Sequence, residues 1–210
     1  TTKATPPPVN NTHLLIFFGL LLTAGRFNDQ YDQTTCQECS ENTFSDQIKA
    51  ITCKKCEVGT ITFEKVGQAS CQNCIAGRYG EECFHCKQGQ FRAADDPQAV
   101  TCHDCPIGQA SSETGRANCA PCSAGKFGSN IGQSNCEVCS LGQYALVPNQ
   151  QQCKFCATGT GTVRNGSSFC TECPKGKYSN SQTSYSCQVC AIGMYNSQEG
   201  QGECKDCAPG

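Results

Sequence analysis

Large apolar side chains are sparse along this chain and follow no helical period. No window places them at the 3.6-residue spacing of an amphipathic helix, and glycine and cysteine interrupt the sequence every few residues. What recurs instead is the phrase Cys-x-x-Gly-x-aromatic, as in CPKGKY (173–178) and CSAGKF (122–127), followed by a second glycine such as Gly132 among polar residues. This pattern predicts serial two-stranded hairpins: the first glycine turns the chain sharply, and the second lies in the hairpin turn.

The cysteines form eleven Cys-x-x-Cys pairs, and from Cys102 onward successive pairs begin 17 residues apart. So strict a period indicates a tandem repeat. Glycine follows the second cysteine of each pair by three positions, except in the first unit, which has Asn42 there. Two positions later an aromatic residue is common, replaced by Ile61, Ala110 and Gly161 in three units. We expect this ring to lie where it can cover a disulfide.

Composition explains why the repeat needs cross-links. The 210 residues include 22 cysteines, 21 glycines, one methionine and no tryptophan, too few large apolar residues for an ordinary core. A disulfide that closes about 15 residues contributes roughly 3 kcal/mol, whereas ordering the backbone of such a unit costs on the order of 25 kcal/mol. Hydrogen bonds and stacking on neighbours must supply the rest. The predicted fold class is small and disulfide-rich: an elongated tandem array of short β-hairpin units with little regular secondary structure and no helical core.

One strongly apolar run, residues 13–25, precedes the repeats. Its core, Leu14 to Leu22, is too short to span a bilayer and fits the apolar region of a signal peptide, with Thr23, Ala24 and Gly25 near the cleavage point. A buried segment or anchor kept in the mature protein is the alternative. The expected organisation is a signal peptide or anchor segment with a Thr/Pro-rich start (1–25), a linker (26–35), irregular repeats (36–101) and regular repeats (102–210) that continue beyond Gly210.

The repeated phrase resembles the ephrin-receptor-like cysteine-rich repeat. It is also similar to the first module of TNF-receptor cysteine-rich domains and to the growth-factor-receptor cysteine-rich type. Long tandem arrays of this kind look most like protist, especially ciliate-type, surface proteins. The resemblance covers about residues 36–210 and implies an extracellular, disulfide-bonded array. No residue here matches a ligand-contact motif of those receptors.

The resemblance implies a pairing in which the cysteine that opens the phrase bonds the first cysteine of the next pair. A rival ladder would join first to first and second to second, as Cys36–Cys53 and Cys39–Cys56, and the sequence does not decide between them. The first scheme leaves Cys36 and Cys207 unpaired. Its bonds are Cys39–Cys53, Cys56–Cys71, Cys74–Cys83, Cys86–Cys102, Cys105–Cys119, Cys122–Cys136, Cys139–Cys153, Cys156–Cys170, Cys173–Cys187 and Cys190–Cys204.

Other chemistry is weakly indicated. Paired Cys-x-x-Cys motifs come close to zinc-ribbon spacing, so an intracellular zinc-ribbon array is an alternative. His85 and His103 are read as solvated side chains rather than metal ligands, and the acidic cluster around Asp95, Asp96 and Asp104 as solvated rather than calcium-binding. The net charge of −2 with no basic patch argues against nucleic acid. We expect no enzymatic activity and no cofactor.

Two features are candidate sites of contact with other molecules. The array loses its period between Cys71 and Cys102, where a short unit (74–83) precedes a long one (86–102). This irregularity is either a tolerated insertion and deletion or a partner-contacting patch, with Phe84, His85, Phe91 and Arg92 as its probes. Asn165 begins an N-glycosylation sequon in a predicted turn.

These observations predict an extracellular or cell-surface structural protein, a disulfide-stapled rod acting as stalk, surface coat or filament component. The alternative is a receptor-type ectodomain that binds a protein ligand. Expected partners are proteins, including self-association through the repeats, and glycans. Membrane contact is expected only through the N-terminal segment or a downstream anchor.

Overall fold

The computed structural model describes residues 23–31, 33–97, 99–180 and 186–208. The Thr/Pro-rich start and the apolar run up to Leu22 lie outside these ranges. The chain divides into two compact parts, residues 1–72 and residues 73–210. Both parts consist of serial hairpins, and one hairpin with the disulfide that closes it is one repeat unit.

Secondary structure in the described residues consists of two-residue strands and contains no helix. Each strand is short because a cysteine or glycine bounds it within a residue or two. The strands are β1 (Arg26–Phe27), β2 (Gln37–Glu38), β3 (Thr43–Phe44), β4 (Lys54–Lys55), β5 (Thr60–Ile61), β6 (Gln72–Asn73), β7 (Arg78–Tyr79), β8 (Phe84–His85), β9 (Gln90–Phe91), β10 (His103–Asp104), β11 (Gln109–Ala110), β12 (Ala120–Pro121), β13 (Lys126–Phe127), β14 (Glu137–Val138), β15 (Gln143–Tyr144), β16 (Lys154–Phe155), β17 (Thr160–Gly161), β18 (Thr171–Glu172), β19 (Lys177–Tyr178), β20 (Gln188–Val189), β21 (Met194–Tyr195) and β22 (Lys205–Asp206).

Each hairpin pairs the strand after the first glycine with the two residues inside the next Cys-x-x-Cys motif. In the unit that opens at Cys122, β13 runs antiparallel to β14, with Lys126 opposite Val138 and Phe127 opposite Glu137. The same register recurs in the neighbouring hairpin, where Tyr144 faces Lys154. The second strand of one hairpin is therefore also the junction to the next unit. The expected tandem array of short β-hairpins without a helical core is confirmed.

Ten disulfides close these units. They join Cys39–Cys53, Cys56–Cys71, Cys74–Cys83, Cys86–Cys102, Cys105–Cys119, Cys122–Cys136, Cys139–Cys153, Cys156–Cys170, Cys173–Cys187 and Cys190–Cys204. These are the ten bonds implied by the resemblance, not those of the rival ladder. From Cys105 onward every bond spans 14 residues. Bonds of this span contribute about 3 kcal/mol each in the chain-entropy account.

The interior is built from sulfur and small side chains. Most of the cysteines that open a unit are less than 5% exposed, whereas those that close it are half-buried, except Cys83, which is 1% exposed. The buried opening cysteines are Cys39, Cys74, Cys86, Cys105, Cys122, Cys139, Cys156 and Cys173. Most large apolar side chains, among them Ile131 and Leu146, remain exposed. Consequently no unit has an apolar core of its own.

Backbone hydrogen bonds connect neighbouring units of the regular repeats. In the regular part, the Gly125 amide donates to the Ala145 carbonyl at 2.8 Å, and the Cys139 amide donates to the Gly125 carbonyl at 3.0 Å. The Gly166 amide in turn donates to the Cys139 carbonyl at 2.7 Å. Groups that a single short hairpin would leave unpaired are thus satisfied by its neighbours.

The first glycine of a unit also meets the unit after the next. Gly125 has a φ of 81°, and a Cβ built on it would overlap the carbonyl oxygen of Gly166, the second glycine two units ahead. Gly25 and Gly67 make the same approach in residues 1–72. Glycine is therefore required at this position for two reasons: the backbone is left-handed, and there is no room for a side chain.

Residues 26–35 are not a linker. They supply β1 and the connection to β2, with Arg26 opposite Glu38 and Phe27 opposite Gln37. Gly25 opens this hairpin: its amide donates to Ser45 at 2.7 Å, and its carbonyl accepts from Cys39 at 2.9 Å. The small residues expected beside a signal cleavage point thus lead directly into the first folded hairpin.

The register of the first hairpin also accounts for Cys36. A regular disulfide partner would lie 14 residues earlier, as in the other units, and the sequence has Leu22 at that position. Cys36 is unpaired and half-exposed, and Cys207 is unpaired and exposed. The first hairpin is therefore a repeat that lacks the opening cysteine of the phrase.

Replacing Gly125 by alanine is expected to destabilise the array more than the same change at Gly176. Both glycines have positive φ, 81° and 77°, so each substitution carries backbone strain of about 1–2 kcal/mol. Only at Gly125 does the new Cβ also overlap a carbonyl, because Gly176 has no described atom within 4 Å of that position. We expect an additional loss of about 2 kcal/mol there, measured as the shift in the midpoint of chemical unfolding. Equal shifts would contradict the required close approach.

Candidate functional site

The irregular segment, defined as residues 74–105, is the part of the array whose surface differs most from the regular repeats. Its first disulfide, Cys74–Cys83, spans only 9 residues, and its second, Cys86–Cys102, spans 16. Strand β7 pairs with β8 across the short loop, and β9 pairs with β10 across the long one. The four predicted contact residues all lie in or beside these strands.

Phe84 and His85 are on the surface of the short unit. The Phe84 side chain is 54% exposed and meets the ring of Tyr79, its cross-strand partner, with centroids 6.4 Å apart. His85 is exposed at one edge, and its ring lies so close over Gly115 that a Cβ there would overlap it. The short unit thus presents an aromatic pair beside a histidine that covers the backbone of another repeat.

Phe91 and His103 form a second aromatic pair across β9 and β10, with centroids 5.9 Å apart. His103 Nε2 lies 3.1 Å from Asp96 Oδ2, and Gln90 donates to Asp104 Oδ1 at 2.9 Å. The acidic residues are therefore partly engaged by neighbours rather than simply solvated. Within the described ranges, no group of three or more His, Cys, Asp or Glu side chains is placed to hold a metal ion.

Arg92 is not a surface contact residue, and this part of the prediction is wrong. Its side chain is 1% exposed, the largest fully buried side chain in the described residues. The guanidinium donates to backbone carbonyls of the short unit and of the loop that follows Arg92. They are those of Arg78, Cys74 (2.6 Å), Ile75 (2.7 Å), Asp96 (3.3 Å) and Ala93 (3.4 Å).

The burial of Arg92 follows from the shortened loop. In regular units the residue after the aromatic position is small, such as Ser111, Gly128 or Ala145. Those residues pack between units that have a full-length loop. The 9-residue loop of the short unit leaves several carbonyls facing this position, and five guanidinium N–H groups can satisfy them together. Arg92 therefore supplies hydrogen bonds that the shortened loop does not, and these bonds stabilise the irregular segment.

The residue after the aromatic position, which is Arg92 in this unit, was not predicted from the sequence to be important. Most residues at this position are buried although several are polar, because they lie between consecutive units. In the sequence this buried position is marked by a small residue directly after the aromatic one in most units. The buried members include Ser45, Thr62, Ser111, Ala145, Thr162 and Ser179. Two of them bond the preceding unit directly: the Thr62 and Thr162 hydroxyls accept from the amides of Asn42 (2.9 Å) and Gly142 (2.7 Å).

Asn165 and the free cysteines are outside the irregular segment in the sequence. Asn165 is exposed in a turn, as its sequon requires. Apart from Cys36 and Cys207, every cysteine is bonded to another cysteine. A zinc-ribbon site needs four thiolates brought together, and those thiolates are used in disulfides here.

Surface charges form local pairs. In residues 1–72, the Lys54 ammonium contacts Asp46 at 2.9 Å and lies 5.9 Å from the centre of the Phe44 ring. The hydrogen bond from Lys54 lowers the pKa of the Asp46 carboxyl below its usual value. Both groups are about half exposed, so solvent screens this pair and it contributes little to stability.

No helix in the described part of the chain has the length and apolar character needed to cross a bilayer.

The comparison with protein families agrees with the repeat geometry. The family model described as tyrosine-protein kinase ephrin type A/B receptor-like matches residues 108–148 and 176–210. Both segments belong to the regular repeats, and the sequence resemblance to this type of repeat is confirmed. The match skips residues 149–175, the segment that contains Gly161. No curated protein sequence matches the chain.

Replacing Arg92 by alanine is expected to lower the free energy of unfolding by about 3 kcal/mol, because several buried carbonyls lose their donors. Arg116→Ala is the matched control: Arg116 is exposed and pairs with Glu113 at 3.2 Å, so its loss costs less than about 0.5 kcal/mol. Chemical unfolding of both variants measures the difference. If Arg92→Ala were as mild as the control, the guanidinium would not be holding the short unit.

Proposed function

We propose that this chain of ephrin-receptor-like cysteine-rich repeats is a non-catalytic extracellular scaffold, a stalk, surface coat or filament component that displays or spaces other parts of an assembly. The family and the ten disulfides point to the cell surface or the extracellular space, because such bonds persist in oxidising compartments. Domains of this family generally bind proteins, so the proposed partners are proteins, including further copies of the chain. Glycosylation at the exposed Asn165 belongs to the same proposal.

The observation that carries the proposal is the continuity between units. In the regular repeats the amides of first glycines such as Gly125 and Gly159 bond the next unit, and the same two glycines approach the unit after that. Most units of such a series present equivalent surfaces, because the same glycines and cysteines recur at the same positions. In repeat proteins of this kind the length follows from the copy number, which suits a spacing or display role.

A receptor-type ectodomain remains the second candidate, and the observation that favours it is the exposed Phe84 ring paired with Tyr79. A receptor would depend on one particular surface, whereas a scaffold depends on the number and continuity of its units. The two candidates therefore predict different responses to the removal of a regular repeat.

Deleting residues 122–138 removes one full period and joins Pro121 to Cys139, which keeps the register of glycines and cysteines. Because every contact has an equivalent in the shortened array, we expect a folded protein with one disulfide fewer and no free thiol beyond the original two. Small-angle scattering should show a smaller maximum dimension. The matched control is a deletion of residues 126–133, which breaks the register and is expected to yield misfolded protein with mixed disulfides.

A full-period deletion that misfolds like the control would contradict the scaffold proposal, because the units would then not be interchangeable. Assembly is read in parallel by sedimentation. One combination of results would favour the receptor candidate instead. In it, the full-period variant folds but loses all self-association, and Phe84→Ala in the intact array also folds and loses all self-association. Self-association would then depend on a unique binding surface.

A further inference from the structure

The unit that opens at Cys156 lacks the ring of its neighbours. The position two residues after the first glycine is Phe127, Tyr144 and Tyr178 in nearby regular units, but here it is Gly161. The position faces inward, since Gly161 is buried. Gly161 belongs to strand β17 and does not have a positive φ, so its backbone does not require glycine. This unit also falls within the residues that the family model does not match.

The missing side chain would point at the next disulfide. A Cβ built on Gly161 lies 3.7 Å from the Cys187 amide nitrogen and 3.8 Å from Cys187 Sγ, both ordinary contact distances. In place of a ring there is an open cleft of about 420 Å³ against Cys187 and Ser186. The cleft therefore occupies the space into which an aromatic ring of the repeat would extend.

The walls of this cleft suit an aromatic ring with a hydroxyl. Leu141, Val163 and Pro174 line its apolar part, and Lys177 contributes a polar group. Glu172 also borders the cleft, but its carboxylate lies 3.4 Å from the Cβ position of Gly200. An ammonium can donate a hydrogen bond to a phenol oxygen. Even an enclosed apolar cavity of about 150 Å³ admits benzene, so the cleft is large enough.

We propose that this cleft, the Gly161 cleft, binds a tyrosine side chain presented by a partner protein. The partner's ring takes the place that the repeat's own ring leaves empty and packs against Leu141 and Val163. Its hydroxyl accepts a hydrogen bond from Lys177. This binding site goes beyond the scaffold role and does not depend on it.

The test is a titration of the full chain with p-cresol, the side-chain analogue of tyrosine, followed by NMR of the Val163 and Leu141 methyl groups. We expect saturable shifts, with p-cresol binding several-fold more tightly than toluene, which lacks the hydroxyl. Gly161→Phe fills the cleft with the chain's own ring and should weaken p-cresol binding at least tenfold. Non-saturable shifts, toluene binding as tightly as p-cresol, or undiminished binding by Gly161→Phe would overturn the proposal.

Two further variants keep the test decisive. Gly161→Ala adds only a Cβ with ordinary contacts, so it should fold even if the phenylalanine variant does not, and it should weaken binding several-fold. Tyr185→Ala removes the tyrosine that precedes Ser186 in the sequence and should bind p-cresol as the unmodified chain does. Unchanged binding by Gly161→Ala, or a gain of more than tenfold for Tyr185→Ala, would overturn the proposal; the latter would mean that the chain fills its own cleft.

Sedimentation at increasing concentration tests whether a second copy of the chain occupies the cleft instead. We expect any self-association to be the same for the unmodified chain and for Gly161→Phe. Self-association that Gly161→Phe abolishes would place a second copy of the chain in the cleft and overturn the assignment to a different protein.

Discussion

Bonds between cysteines of adjacent pairs take the place of a hydrophobic core, and the rest of the structure depends on them. The buried residues are mainly opening cysteines and small side chains, while most large apolar residues remain in solvent. Burial of apolar area, the usual driving force of folding, is therefore small in every unit. Each disulfide lowers the entropy of the unfolded chain, and hydrogen bonds between units satisfy the backbone that two-residue strands leave open.

This constraint makes neighbouring units dependent on one another. Gly125, which follows an opening cysteine, bonds the next unit and approaches Gly166, the second glycine of the unit beyond, and Gly159 does the same with Gly200. An array stabilised in this way can lengthen or shorten by whole periods but tolerates shifts of register poorly. Where the spacing does change, in residues 74–105, a buried Arg92 supplies the hydrogen bonds that the shortened chain does not.

The sequence predicted the local structure well, because the repeated phrase contains both the turn residues and the cysteines that close each hairpin. It did not predict contacts made across units. The close approach of Gly125 to Gly166 spans more than two periods, and the burial of Arg92 results from carbonyls left by a loop elsewhere. The hairpin at residues 26–35 was overlooked because its opening position holds Leu22 in place of cysteine. For the Gly161 cleft, the sequence shows only that glycine stands where most units have an aromatic residue. A missing ring alone does not show that the space is open.

The most direct test of this account is amide hydrogen exchange of the regular repeats before and after complete reduction of the disulfides. The amides of Gly125, Cys139 and Gly166 donate to neighbouring units and should exchange slowly in the oxidised protein. After reduction we expect all three to exchange at the rates of an unfolded chain, because nothing else in the units provides enough stability to keep them ordered. Persistent protection of these amides in the reduced protein would contradict the account.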